Sequence, residues 1–433
     1  MRVLLVGDGA REHAIAKQLA RSCELYSAMA VKNPGISELS VKSYVCPPDA
    51  VEPIGSWAIQ NAVELAFVTS ESALATGLTD ALADAGIALA CPTSAAAAIG
   101  SNTVYADTLI KNAGVPHPEH RICKDETDMK DALAELGDVV IKPAIRTETR
   151  GAKFTVKDFN DKKGAIAYGK SLIKRHGSVV FEKVSDGEVF SVRAFTDGKN
   201  ISLMPPVQVA TRAEEGDAGE LTEGMGGYST GRLLPFMKAD DLEAARSALQ
   251  KIVAQLSARE IHYKGVLHGR FLSTEDRIEM IDINSSPGPI ETICNLGTLR
   301  SELSETLISI AEGNLKPASF DELATVVKYV VPKKYPLPLR KKSVVELDEK
   351  RIWDSGAKVF FESVVRQEGG YVMQGGRALA VFASGKDVLE AEARAEAAMA
   401  GISGAIRHRK DIAAAQFIKE RTDRMERLRG NAK

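Results

Sequence analysis

Hydrophobic and polar positions along the first hundred residues alternate between strand and helix periods. VLLVG from Val3 reads as a buried strand, because an unbroken short apolar run suits a strand covered on both faces. The segment Arg11 to Ser22 predicts a helix, with Ile15 and Leu19 four apart on one face. LYSAMAV from Leu25 predicts a second strand, ending in Asn33-Pro34-Gly35, and LAFV at Leu65 a third. A helix from Leu74 to Ala85 closes on Gly86, a C-cap glycine, and IALA then leads into Cys91-Pro92-Thr93. This alternation predicts a parallel sheet with helices on its faces.

A new unit starts near Ser101, with a helix carrying Val104, Leu109, Ile110 and Ala113 that stops at Gly114 before Pro116. A helix from about Thr127 to Leu136, the strand VVIK ending at Lys142 and the strand SVVFEKV from Ser178 to Val184 follow. The glycine-rich, polar stretch Gly216 to Gly231 reads as a loop. Asp240 to Leu256 is an amphipathic helix with Leu242, Ala245, Leu249, Ile252, Val253 and Leu256 on one face. KGVLHGRFL and RIEMIDIN are strands, and the Pro-rich basic stretch Pro332 to Lys342 marks a boundary. Strands near KVFFESV and RALAVFA precede a long Ala/Glu/Arg helix. The Lys/Arg/Glu-rich end from Gln416 reads as a solvated helix or a frayed tail.

Length adds that 433 residues exceed one ordinary core, about three domains at roughly 100–200 residues each. Lys and Arg total 56 against 58 Asp and Glu, a net charge of −2. Such balance excludes a global pull on nucleic acid or an anionic membrane, so an anionic ligand needs a local site. Five scattered cysteines without a C-x-x-C pair read as reduced thiols. MRVLLVG enters a strand without a signal-peptide pattern, and no apolar run approaches the ~18 residues of a span. The expected location is the cytoplasm.

Four segments carry candidate chemistry. In GDGAREH, Gly7 and Gly9 would let backbone N–H groups approach an anion at a helix N-terminus, or simply form a tight turn. A dinucleotide reading fails there, since Glu12 stands where a third glycine is needed and the second strand ends without an acidic residue. Asp282 and Asn284, two apart on a strand, face one side and suit a hard cation, or cap the strand end. Lys142 precedes a polar loop with Arg146, Arg150 and Lys153, able to face phosphates or to be ordinary surface charge. Glu182 and the turn Asp186-Gly187-Glu188 suit adenine and ribose, or a hairpin. G-x-S-x-G, H-E-x-x-H and the P-loop pattern are absent.

Taken in this order, the segments resemble the phosphoribosylamine–glycine ligases, ATP-grasp enzymes of purine synthesis, over nearly the whole chain. GDGAREH stands for the family's G-x-G-G-R-E-H, VTSESAL keeps Glu71, and Cys91-Pro92-Thr93 stands for G-P-T. FEKVSDGEVFSV, MPPVQ, EGMGGYS, KGVLHGRF, IDIN with Glu291-Thr292, GGRALAV and HRKDI continue the match; LLPF and KYVVP place it nearest the archaeal branch. The loop pattern K-P-x-G-L-T-G-G-K-G reads KPAIRTETRG, and Asn102, Val209, Ala210, Thr211, Leu221, Glu223, Ser286 and Pro289 also depart from family positions.

The resemblance implies an α/β ATP-grasp fold: an N-terminal parallel-sheet domain at 1–100, an ATP-grasp domain at 101–324 with a flap at about 117–187, and a small α+β domain at 325–433. It implies ATP with Mg²⁺ or Mn²⁺ as cofactors, glycine and phosphoribosylamine as substrates, and a monomer or weak homodimer. Carried over by position, Arg150 and Arg212 are catalytic; Lys142, Glu182, Lys183, Val184 and Glu188 bind ATP; Gly7, Gly9, Arg11, Glu71 and Met225 bind substrate; Asp282 and Asn284 hold the metal. An ATP-grasp ligase retuned to another carboxylate and amine, or a non-catalytic nucleotide binder, are the alternatives.

Overall fold

The computed structural model describes residues 1–146 and 151–430. Its first sheet is parallel throughout, in the order Lys42–Val45, Glu24–Met29, Arg2–Val6, Leu65–Val68, Ala88–Leu89. Helices on both faces bury Val3 to Val6 completely, which is why that strand is an uninterrupted apolar run. The strands Arg2–Val6 and Leu65–Val68 both end at one edge, where the turns at Gly7–Gly9 and Ser70–Ser72 meet the cleft described below. Ligand sites in such sheets lie beyond the carboxyl ends of the strands.

An antiparallel sheet of His120–Cys123, Val179–Lys183, Val139–Pro143 and Lys153–Phe154 forms a separate lobe under the helices Glu126–Leu136 and Lys162–His176. The lobe has its own core, which includes Met129, Leu133, Ile141, Leu172 and Phe181. Gly169 lets its helix approach closely, since a Cβ there would lie 2.4 Å from the Met129 sulfur. A second antiparallel sheet, Ile201–Leu203, Glu188–Asp197, Lys264–Ser273 and Ile278–Asn284, carries the helix Ala239–Ser257. That helix buries Ala245, Leu249, Ile252, Val253 and Leu256 of the face its periodicity predicts, with Leu242 half-buried.

The glycine-rich stretch expected as a loop is a strand, Ala218–Ser229, paired with Gln208–Glu214 on one side and Ala324–Pro332 on the other. The glycines serve close approach, not a turn. A Cβ at Gly226 would lie 2.3 Å from the Val327 carbonyl oxygen, and one at Gly227 would lie 2.4 Å from the Gln208 carbonyl oxygen. The same sheet continues through Leu379–Gly385 to Lys358–Phe361, so the chain after residue 324 extends a sheet begun before it. A further sheet of Val364–Gln367, Gly370–Met373, Val344–Leu347 and Ile402–Gly404 completes this end.

The C-terminal segment is a docked helix, Ala415–Gly430, with Phe417 and Met425 buried. Its arginines hold it to the body: Arg421 pairs with Asp217, Arg424 with Asp186 and Glu188, and Arg429 with Asp241. Among the described residues, no helix is long and apolar enough to cross a membrane.

Candidate active site

A cleft of about 760 Å³ lies where the first sheet, the small lobe and the larger sheets meet. Its two ends differ in charge. At one end stand Lys142, Arg146 and Arg270, with Asp282 and Asn284; at the other stand Asp8, Glu12, Glu71, Glu223, Glu291 and Glu362, with Arg11 and Arg377.

At the cationic end, Lys142 closes the strand Val139–Pro143, and its Nζ donates to Glu182 Oε2 at 2.6 Å and to the Ile281 carbonyl at 2.8 Å. Glu182 is buried, with the His117 Nε2 3.7 Å away, and His117 in turn contacts Asp107 at 3.2 Å. Burial works to lower the His117 pKa, but the Asp107 hydrogen bond and the Glu182 charge outweigh it and hold it above the ordinary histidine value.

Arg146, four residues after Lys142, joins this group. Its Nη2 pairs with Asp282 Oδ1, its Nη1 donates to Asn284 Oδ1 at 2.9 Å, and its Nε donates to Thr103 Oγ1 at 3.2 Å. Arg270 stands 3.9 Å from Asp282 Oδ2. Burial works to raise the Asp282 pKa, yet Arg146, Arg270 and Lys142 hold that carboxyl below its ordinary value. Asp282 and Asn284 do face one side, as their spacing predicts, but both turn their oxygens onto a guanidinium. This arrangement does not suit a divalent ion. Asp282 is the only carboxylate of the pair, its Oδ1 also accepts from the Ile283 amide at 2.8 Å, and Mg²⁺ demands several oxygen ligands in near-octahedral geometry. Each neighbouring arginine would repel an ion of charge two by about 8 kcal/mol at 4 Å and an effective dielectric of 20. No cluster of three or more His, Cys, Asp or Glu suited to a metal occurs among the described residues.

At the acidic end, Gly9 is the N-cap of the helix Ala10–Leu19. Two side chains of the protein already occupy its N-terminus: the Gly9 amide donates to Glu12 Oε2 at 2.9 Å and the Ala10 amide to Glu362 Oε2 at 2.6 Å. Gly7 has φ +136°, and a Cβ there would strike Glu12. Arg11 is spent on structure: it donates to Glu12 at 2.5 Å, to the Pro287 carbonyl at 2.6 Å and to the Thr69 carbonyl at 2.8 Å. It thereby clamps the first sheet to the loop after Asn284. Glu71, at the start of the helix Glu71–Ala75, accepts a hydrogen bond from Ser286 Oγ at 2.7 Å.

The other expected residues are placed elsewhere. Arg212 does not line the cleft: its Nη1 donates to Asp158 at 2.7 Å and to the Gly219 carbonyl at 2.8 Å. Its strand neighbours Val209 and Thr211 line the cleft, so alternation turns Arg212 to the other face. Met225 is fully buried in the main core. The amides of Lys183 and Val184 donate to the carbonyls of Glu119 and Asp138. Glu188 is buried, accepting from Gln208 at 3.0 Å and from Arg424 at 3.1 Å. Burial pushes its carboxyl above the ordinary value although Arg421 and Arg424 pull the other way. Arg150 lies outside the described residues.

Among the cleft residues not expected as site residues are Arg270, Thr103, Glu362 and Arg377. Arg377 is buried and donates to the carbonyls of Glu223 and Gly224 at 2.9 and 3.0 Å and to Glu362 at 2.9 Å. Its guanidinium lies 4.0 Å from the Tyr329 ring centroid. KGVLHGRF and KVFFESV already contained Arg270 and Glu362, and GGRALAV placed Arg377 at the head of an apolar strand.

A small antiparallel lobe facing a larger one across a cleft with a cationic end is the arrangement of ATP-grasp proteins. Models of the phosphoribosylglycinamide synthetase N domain, ATP-grasp (A) domain and C domain match residues 1–100, 101–292 and 325–415. The chain belongs to this family. Phosphoribosylamine–glycine ligases of Methanosarcina barkeri and Thermococcus kodakarensis are each 36% identical to it, across 99% of this chain and 100% of theirs. A crystal structure of the Thermotoga maritima phosphoribosylamine–glycine ligase superposes with a TM-score of 0.81 at 20% identity, covering 95% of this chain and 100% of that one. The biotin carboxylase domain of a Hydrogenobacter thermophilus 2-oxoglutarate carboxylase, described with MgADP and bicarbonate, shares the fold at a TM-score of 0.73 and 15% identity.

Proposed function

We propose that the chain joins glycine to phosphoribosylamine at the expense of ATP, as an ATP-grasp carbon–nitrogen ligase of purine synthesis. The observation that carries this reading is the charge polarity of the cleft, with Lys142, Arg146 and Arg270 at one end and carboxylates at the other. An amine substrate and a polyphosphate are thereby drawn to opposite ends of one chamber.

In the first step a glycine carboxylate oxygen attacks the γ-phosphorus of ATP. The bond to the β-bridging oxygen breaks, giving glycyl phosphate and ADP. In the second, the phosphoribosylamine nitrogen attacks the glycyl carbonyl carbon, loses a proton, and expels inorganic phosphate to leave an amide. Lys142, Arg146 and Arg270 offset the charge spreading over the transferred phosphoryl oxygens, where positioning and electrostatics supply most of the catalysis. Glu71, held by Ser286, faces the substrate ammonium or ribose hydroxyls. Glu182 and Glu188, behind the cationic end, belong to the adenosine side, where Glu188 exchanges Arg424 for ribose hydroxyls. ATP arrives as its complex with Mg²⁺ or Mn²⁺, the ion being part of the substrate. The chain works in the cytoplasm as a monomer or weak dimer on small molecules, without a nucleic-acid or membrane partner.

Calorimetric titration tests the nucleotide half of this reading. ATP is expected to bind saturably, and Lys142→Met to weaken binding at least tenfold. No heat and no ligand-induced melting shift up to millimolar ATP would overturn it.

A further inference from the structure

The Asp282–Asn284 pair, the position where an ATP-grasp protein is expected to carry an ion against the phosphates, has a guanidinium on it. Both side-chain oxygens that would ligate an ion accept from Arg146, which also reaches the Ile283 carbonyl at 3.4 Å. The backbone around Arg146 is fixed independently of this contact. Its amide donates to the Ser101 carbonyl at 2.7 Å, and Ile145 forms a bridge with Asn102. The Thr103 hydroxyl that accepts from Arg146 Nε donates to the Pro143 carbonyl at 2.8 Å, so its orientation is set as well. Arg146 is therefore anchored before the chain enters residues 147–150. Its side chain is 19% exposed, with the open part toward the cleft. Together Lys142, Arg146 and Arg270 outnumber Glu182 and Asp282 by one positive charge.

We propose that Arg146 is the resident cation of the phosphate end, taking the place of a divalent ion held by the protein. A nucleoside di- or triphosphate would then be met by Arg146, Arg270 and Lys142. Any Mg²⁺ that comes with it is held by phosphate oxygens and water, and not by Asp282 and Asn284. Arginine suits the task because it is permanently charged, and its planar fork keeps donors for a carboxylate on one edge and a phosphate on another. A chelator removes a metal from such a site but leaves a guanidinium in place.

This inference rests on the nucleotide reading above, and the experiment separates the two. ADP is titrated calorimetrically into the full chain in excess EDTA and in millimolar Mg²⁺. Wild type is expected to bind ADP under both conditions with dissociation constants within about threefold. Arg146→Leu is expected to lose at least tenfold in EDTA and to recover much of it with Mg²⁺, because the vacated oxygens become available. Arg146→Lys, which keeps the charge, retains most of the metal-free binding. Melting curves of both variants show whether the fold persists. Mn²⁺ electron paramagnetic resonance without nucleotide should show no protein-held ion in wild type. Wild-type binding that requires Mg²⁺, or a wild-type Mn²⁺ signal lost in Asp282→Asn, would overturn the proposal. Absence of ADP binding under both conditions would overturn the nucleotide reading, and this one with it.

Discussion

Acidification should loosen the joint between the first sheet and the C-terminal sheets through one side chain, His13. It projects from the helix Ala10–Leu19 and is 8% exposed. It stacks on Phe361 at 5.4 Å between ring centroids and meets Phe360 edge-on at 5.4 Å. Its Nδ1 accepts the Phe361 amide at 3.0 Å, so a proton on Nδ1 would end that bond. Burial, with a lesser contribution from the Lys17 charge, lowers its pKa to about 3. An unfolded histidine titrates near 6.5. The folded value is the lower one, so this contribution is complete above pH ~6.5 and is lost progressively as the pH falls toward about 3. The loss is about 1.4 kcal/mol per pH unit, hence roughly 2 kcal/mol at pH 5. His13→Asn keeps an acceptor and removes the titration. Melting temperatures at pH 7 and pH 5 for both proteins give a double difference in which the titration of all other groups cancels. Wild type should fall by about 2 °C more than the variant, and exchange of the Phe361 amide should speed up in wild type alone. Equal falls in both would show that protonation of His13 does not couple to this joint.

Other substitutions probe the cleft and its frame. Arg377→Met leaves the partly buried Glu362 without its cation and should cost about 1–3 kcal/mol in denaturant melts; an unchanged melt would show the carboxylate re-solvated. Gly226→Ala drives a methyl into the Val327 carbonyl and should cost about 2 kcal/mol or more, whereas an unchanged melt would mean that the strand pair can part. Glu71→Gln should raise the KM of one substrate about tenfold, from loss of a charged hydrogen-bond partner, with the melting temperature nearly unchanged. An unaltered KM for both substrates would remove Glu71 from the substrate side.

Legibility followed the range of the interaction. The parallel sheet was readable because strands buried on both faces are apolar runs, and the helix Ala239–Ser257 because its apolar face recurs at helical spacing. The strand Ala218–Ser229 was not, because glycine marks a turn and a close backbone approach with the same letter. Asp282 and Asn284 were correctly placed on one side, but nothing local states that an arginine 136 residues earlier in the chain faces Asp282. Arg212 shows how position and orientation separate: it stands in the strand that borders the cleft, on the face opposite Val209 and Thr211. Glu362 and Arg377 come from the far end of the chain and complete the acidic end by tertiary contact alone. The C-terminal helix looked solvated because Lys, Arg and Glu dominate its composition, yet three of its four arginines, Arg421, Arg424 and Arg429, dock it.

The central claim is that this cleft joins glycine to an amine through an acyl phosphate. Its most direct test is a coupled assay with the purified chain, ATP, Mg²⁺, glycine and freshly generated phosphoribosylamine, reading phosphate release and the amide product together. Stoichiometric ADP, phosphate and glycinamide ribonucleotide are expected, with turnover abolished when glycine or the amine is omitted and sharply reduced in Lys142→Met. Saturable ATP binding without any glycine- and amine-dependent turnover would contradict it.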